Sequence, residues 1–453
     1  MQLGYLSLLA LLSDWICFSD AAAPVPFEAA YGHDPAVLID LFLATNVMSC
    51  FFVTDAVQKY GLAKTIKGAG CLMAGGCFMK SGIPFVTGFV PYEWLVAGTI
   101  MVGIAQPYFQ CTPPLLSAKW FGKSERATAT AIALNANQIG IATAFLVGGS
   151  MATSTHGIEN YFALITILTT VVAAGCAFQF EEKPATPPSS SELQKMSNKE
   201  EEPTFFESAK KLFKTKGFGQ PLVAFIASIS ITNVVGAFIA EVMERGGITN
   251  QLHVDLAGAG FELSILLGGI LVGGYVDRTK EYKRTTLITL ALTTFCLIPL
   301  GLTEHAIGQE PVLLLIALFG LGISAGPIQP VNAELAVEVS YPCDETAVES
   351  TQQIFGNLVS ALLVPLAAFA MKRDFELFPK MALESDIRGD VIILCAIAAV
   401  TGAIYSTFGT PLKRSLLDCE SDGNCETGLD LMVSVRRLEF VGLEELLNSN
   451  SDI

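Results

Sequence analysis

Among the polar side chains that stand inside otherwise apolar runs, eight bear first on the chemistry open to this chain. Four are acids, Asp14, Glu241, Glu262 and Glu334, and four are amides, Gln106, Gln110, Asn233 and Gln329. A charge at the middle of a bilayer costs a few kcal/mol or more unless it faces a water-filled cavity. Basic partners are nearly absent from the same runs, so an acid-lined chamber favours a cation or a proton. Each acid could equally lie near a helix end and face water. Catalysis has no comparable footing, because no span holds a paired acid and base or a metal constellation.

Composition says what must position these residues. Of 453 residues 51% are apolar and 15% charged, against roughly a quarter charged in soluble domains. A soluble multidomain enzyme is excluded. The net charge of −16 speaks against nucleic-acid binding, which needs concentrated Lys and Arg. Eleven cysteines scatter through apolar runs without metal spacing or a disulfide framework, and read as buried thiols. The histidines His33, His156, His253 and His305 all fall in loops, so none is placed to ligate haem iron within a membrane.

Apolar runs near 2–19, 35–55, 68–90, 94–117, 127–150 and 159–179, then near 219–243, 255–276, 285–303, 311–337, 347–371 and 389–410, predict twelve spans in two sixes. Residues 1–180 form one bundle, 181–216 a polar linker, 217–411 a second bundle and 412–453 an acidic, solvated tail. The first run imitates a signal peptide but lacks a basic start and contains Asp14. If both ends are cytoplasmic, 21 of the 27 Lys and Arg lie in inner loops, as the positive-inside rule requires. Four of the other six sit in the loop before the last span. Within the linker, Phe205 to Phe213 (FFESAKKLF) has helical apolar spacing beside lysines and reads as a surface helix at the membrane interface or an ordinary linker turn.

The halves repeat at a shift of 219 residues. It lays Gln58 to Lys64 over Asp277 to Lys283, Gly103-Ile104-Ala105 over Gly322-Ile323-Ser324, Gln110 over Gln329, and Ser13-Asp14 over Thr232-Asn233. A shift of 215 superposes Gln138-Ile139 on Gln353-Ile354, as if the second half lacked one helical turn before that point. Both fourth spans carry helix-breaking residues at matching depth, Gln106-Pro107 with Pro113-Pro114 and Gly326-Pro327 with Pro330. Paired interruptions of this kind mark a substrate path between pseudo-symmetric halves.

Gly273 to Arg284 (GGYVDRTKEYKR) resembles the loop signature of the major facilitator superfamily. There Asp277 could cap a helix end and pair with Arg278 or the opposing half, a latch that opens as the halves rock, with Lys283 among its basic residues. The first copy, with Lys59, has Gln58 where the acid belongs, which leaves Asp55 as the substitute. Lys119-Trp120-Phe121-Gly122, Glu125 to Ala131 and Asn137-Gln138-Ile139-Gly140 are similar to the family of feline leukaemia virus subgroup C receptor-related transporters. So are Glu334 to Pro342 and Gln352-Gln353-Ile354-Phe355-Gly356. That resemblance implies twelve helices in two bundles and a choline or ethanolamine site using Trp15, Gln138 and Gln353. An indole face attracts a quaternary ammonium, and amides orient a hydroxyl without the desolvation cost of a charge. The family's seventh-span aromatic has no match here, where Glu241 offers negative charge instead.

The expected protein is an all-α multi-pass transporter of a small organic solute, working as a monomer by alternating access in the plasma membrane or an organelle membrane. Its substrate-binding candidates are Trp15, Gln138, Gln353, Asn137, Gln106, Asn233 and Glu241, and its gating candidates Asp277, Arg278, Lys283, Lys59 and Asp55. A choline- or ethanolamine-like amine is the expected substrate. The alternatives are haem or another organic anion, and a receptor or sensor without net flux. No metal or cofactor is implied, and the absence of a P-loop leaves gradients, of protons or another cation, as the driving force.

Overall fold

The computed structural model describes residues 1–20, 24–83, 89–186, 188–189, 193, 203–302, 310–376 and 386–422. The first half runs α1 (Gln2–Ser19), α2 (Pro24–Tyr31), α3 (Ala36–Tyr60), α4 (Leu62–Ser81), α5 (Tyr92–Gln110), α6 (Pro113–Trp120), α7 (Arg126–Met151) and α8 (Thr155–Gln179). A linker helix follows, α9 (Phe205–Lys214). The second half runs α10 (Gly219–Ala237), α11 (Ile239–Arg245), α12 (Gln251–Thr279), α13 (Tyr282–Gly301), α14 (Pro311–Ala325), α15 (Ile328–Ser340), α16 (Glu345–Ala370) and α17 (Gly389–Ser406). A small antiparallel hairpin, β1 (Asp374–Glu376) with β2 (Asp386–Arg388), precedes α17, and α18 (Lys413–Asp422) follows it.

Ten of these stretches are long and apolar enough to cross a membrane, with Pro311–Ser340 counted as one. α4 and α5 have the length and pack in the same bundle. Lys64, Lys67 and Lys80 in α4, and Glu93, Gln106 and Gln110 in α5, dilute their apolar content. With them the passes number twelve, three of which are broken: α5–α6, α10–α11 and α14–α15. The breaks in the fourth and tenth passes fall at Cys111-Thr112 and at Gly326-Pro327, because a proline at the start of the new helix has no N–H to continue the old one.

Each half closes its own apolar core. Leu6, Phe42, Met73, Phe109 and Tyr161 belong to one, and Phe261, Leu290, Leu321, Leu335 and Tyr405 to the other. The halves meet along two seams, α7 against α12 and α3 against α16.

Helix boundaries carry the repeat through the whole of this region. α5 and α14 begin at Tyr92 and Pro311, and α7 and α16 run Arg126–Met151 and Glu345–Ala370, each pair displaced by 219. The four-residue loss suggested by the Gln-Ile match does not occur, since α7 and α16 both have 26 residues. Gln138 is therefore the counterpart of Asn357, and Gln353 sits one turn away from that position. The turns agree too, with Gly61 (φ 83°) after α3 and Lys280 (φ 53°) after α12, both in the left-handed region.

A repeated close contact fixes how the fourth and tenth passes pack. A Cβ on Gly103 would lie 2.0 Å from Thr45 Oγ1 and 2.9 Å from Phe42 O; on Gly322 it would lie 1.8 Å from Ser264 Oγ and 2.8 Å from Phe261 O. Thr45 and Ser264 donate to those same carbonyls. We expect Gly322→Ala to destabilise the protein by about 1–3 kcal/mol through overpacking. Thermal unfolding in detergent checks this, and Ser264→Ala should restore part of the loss because the hydroxyl is the nearest obstacle.

Candidate functional site

Hydrogen-bonded side chains join four helices near the middle of the membrane passes. Asn357 Nδ2 on α16 donates to Asn46 Oδ1 on α3 at 3.5 Å. Asn46 Nδ2 donates to Gln106 Oε1 on α5 and, at 3.3 Å, to Gln110 Oε1. Gln106 Nε2 donates to Asp14 Oδ1 on α1 at 2.8 Å. Asp14, Asn46 and Gln106 are buried. Asp14 Oδ2 is also buried and has no partner among the described residues. Glu262 stands midway along α12 in the other half, its Oε1 3.8 Å from where a Cβ on Gly236 of α10 would lie. Asn233 of α10, the counterpart of Asp14, donates to Ser360 on α16 at 2.8 Å. Polar groups in an apolar interior persist only when so partnered or hydrated.

The expected residues divide between this layer and other places. Gln106 is in it and Asn233 beside it. Trp15 follows Asp14 on α1, with its indole Nε1 donating to Tyr161 Oη at 2.8 Å. Gln138 is half-buried on α7, and Asn137 has a buried Oδ1 without a partner among the described residues. Gln353 lies one turn toward the helix start, where its Nε2 donates to Glu349 Oε1 at 3.0 Å. Glu241 is exposed on the short α11. His33 stacks on Tyr92, the exposed His156 pairs with Glu159, and His305 lies outside the described residues. Among the described residues no group of three His, Cys, Asp or Glu is arranged to hold a metal.

At the end of the molecule that carries Lys59, Lys119 and Lys283, here the basic end, the two seams are closed differently. On the α7/α12 seam Asp277 accepts from Ala127 N at 2.8 Å, Thr128 N at 2.7 Å and Thr128 Oγ1 at 2.6 Å. A carboxylate of one half thus caps the positive end of a helix in the other. Its basic neighbour is Lys280 at 3.8 Å, which also donates to Lys123 O. Arg278 is exposed, and Lys283 donates to Phe408 O at 2.8 Å within its own half.

On the α3/α16 seam Gln58 donates to Pro203 O at 3.2 Å, and Asp55 accepts from Phe205 N at 2.8 Å, the start of α9. Exposed Lys59 lies over the Tyr60 ring. The linker helix fills the seam, with Phe205 edge-on to Phe51 of α3 and Phe213 edge-on to Phe355 of α16. Its sequence dictates a helix, since Thr204 and Glu207 form a capping box.

Glu334, a candidate lining acid, stands at the basic end as well. It accepts from Ser117 Oγ at 2.8 Å and from Thr130 Oγ1, both of the other half. The start of the tail, expected to be solvated, folds back as α18: Arg414 is buried 3.9 Å from Glu334, and Ser415 N donates to Glu338 Oε2 at 2.9 Å. Two buried acids on α15 give that segment a reason to pack.

Twelve helical passes in two lobes, latched at one end and joined by polar groups at mid-depth, can be set beside known proteins. The profile of the Major Facilitator Superfamily matches residues 7–363. The chain belongs to that superfamily. This transporter is 28% identical over 373 residues to solute carrier family 49 member A3 of Xenopus tropicalis, covering 79% of this chain and 74% of that one. It is 26% identical to the human choline/ethanolamine transporter FLVCR2, covering 67% of this chain and 58% of that one. In fold it is similar to the crystal structure of FucP in the outward conformation, with TM-score 0.66 and 12% identity over 91% of this chain and 99% of the other. It is an integral, multi-pass membrane protein.

The loop motif Gly273 to Arg284 supplies the Asp277 cap. Replacing Asp277 with Ala should weaken the basic-end closure by about 1.5–3 kcal/mol, the range for charge-assisted hydrogen bonds. Cysteines placed at Thr130 or Ser117 should then label faster from that end.

A second carboxylate there can be followed by pH. Glu182 accepts from Leu62 N at 3.1 Å, Ala63 N at 2.6 Å and Lys119 Nζ at 2.6 Å. Burial alone would raise its pKa, but these donors outweigh burial and hold it below the usual carboxylate range. A depressed value contributes stability above the ordinary glutamate pKa, lost as pH falls through the depressed one. The melting temperature of Glu182→Gln should therefore fall below wild type at neutral pH and converge with it in acid.

Proposed function

We propose that this transporter carries a small organic cation of the choline or ethanolamine type by alternating access, with the basic end cytoplasmic. The observation that carries the reading is the charge of the mid-depth layer. It holds Asp14 and Glu262 with the amides of Asn46, Gln106 and Asn357, and among the described residues no Lys or Arg stands in the middle of any pass. Such a layer attracts a cation and repels an anion, which disfavours haem and other organic anions.

Relatives named as choline/ethanolamine transporters support the substrate class. Trp15 offers an aromatic face, worth about 0.5–2 kcal/mol to an ammonium depending on desolvation. The Tyr161 bond holds that ring in one orientation. Asn137 and Gln138 on α7, with Asn357 as the counterpart of Gln138, supply amides for a hydroxyl. Gln353 acts one turn below, through Glu349. Asp277 with Lys280 and the α9 helix close the cytoplasmic end, while substrate exchanges on the other side.

Uptake of labelled choline, ethanolamine and haem into proteoliposomes tests the reading. Saturable choline or ethanolamine flux is expected, reduced at least tenfold in Trp15→Ala and Asn357→Ala, a loss of about 1.4 kcal/mol or more. Flux of haem without either amine would sink it, and binding without flux would make the protein a receptor.

A further inference from the structure

The first residues of the linker are bound along the basic end of the first half. Glu182 holds the start of α4 and Lys119, and further on Ser189 Oγ accepts from Arg126 Nη2 at 2.6 Å. Arg126 opens α7 and is only 2% exposed. Its planar fork of N–H donors suits an oxyanion better than a hydroxyl. We propose that Ser189 is a phosphorylation site whose phosphate Arg126 receives, and that the modified linker loosens the α7/α12 seam.

The sequence around Ser189 suits a kinase. Glu192 stands three residues after it, the spacing that acid-directed serine kinases recognise. Pro184, Pro187 and Pro188 lack the backbone donor that a helix or a ladder needs, and Lys183, Ala185 and Thr186 are exposed. Ser189 itself is half-buried against Arg126, which it leaves to be modified and rejoins as a stronger partner. The step is a phosphoryl transfer from ATP: Oγ attacks the γ-phosphorus, the new O–P bond forms as the bond to ADP breaks, and the hydroxyl proton leaves to the kinase's base. The product carries about −1.5 to −2 charges near neutral pH.

That charge arrives where an anion is already bound. Ala127 and Thr128, the two residues after Arg126, give their N–H groups to Asp277 of the other half. A dianion held bidentately at Arg126 would share the positive end of α7 with Asp277 and repel it. It would also compete for Lys280, which stands 3.8 Å from Asp277 and donates to Lys123 O. The linker already fills the α3/α16 seam through α9. Modified at Ser189, it would act on the other seam as well. The proposal rests on the cytoplasmic placing of the basic end, because ATP is supplied there.

The purified full chain, treated with an acid-directed serine kinase and ATP, tests the site without any transport substrate. Mass spectrometry should find phosphate on Ser189. Phosphorus NMR should then place its second pKa below the ordinary value of about 6 in wild type and near that value in Arg126→Gln. Absence of phosphate at Ser189, or an ordinary pKa in wild type, overturns the proposal, and neither result depends on how the variant folds. Thr130→Cys should label several-fold faster from the basic end after phosphorylation, with no change when Ser189→Ala is added. Labelling unaffected or slowed by the phosphate overturns the loosening of the seam. In sealed cells, added kinase and ATP should modify Ser189 only after permeabilisation. Modification from outside would overturn the cytoplasmic placing of the basic end while leaving the Arg126 site intact.

Discussion

Inside a bilayer no bulk water completes the hydrogen bonds of a carboxylate or an amide, and that constraint organises this protein. Polar side chains buried in the spans must find one another, and the partners available lie on neighbouring helices. Asn357, Asn46, Gln106 and Asp14 meet for this reason. The contact that satisfies them also crosses between the halves, so the chemistry of the central layer and the relative position of the lobes cannot change independently. A transporter needs that property.

Much of this was legible beforehand because it follows from periodicity and composition. Apolar runs of the right length had to be passes, and lysine-rich loops had to share an end. Pro113 and Gly326-Pro327 mark where the fourth and tenth passes break, whereas Pro107, expected to break its helix, stays inside α5. The shift of 219 located the Gly103 and Gly322 contacts, where the close approach itself forbids a side chain.

What the sequence hides depends on the third dimension. Asn46 is one amide in a long apolar helix, and nothing local separates it from a residue facing lipid; only the position of Gln106 on α5 reveals its task. A constant shift of 219 lays Asn357 over Gln138, whereas the two-residue Gln-Ile coincidence points one turn away, to Gln353. Glu334 read as a lining acid because a one-dimensional span has no depth marker, whereas its position is fixed by Ser117, Thr130 and Arg414 converging on it. The folding back of α18 was hidden by the acidic average of the tail, in which one buried arginine carries little weight.

The two seams at the basic end show what duplication leaves unequal. Asp277 clasps α7 directly, while its counterpart Gln58 cannot, and the peptide joining the lobes has taken over there, wedged between Phe51 and Phe355. A tether ordinarily tolerates changes in length and composition. Here the end of the connecting segment is itself packed between the lobes as α9, so a change of sequence there alters a seam as well as a tether.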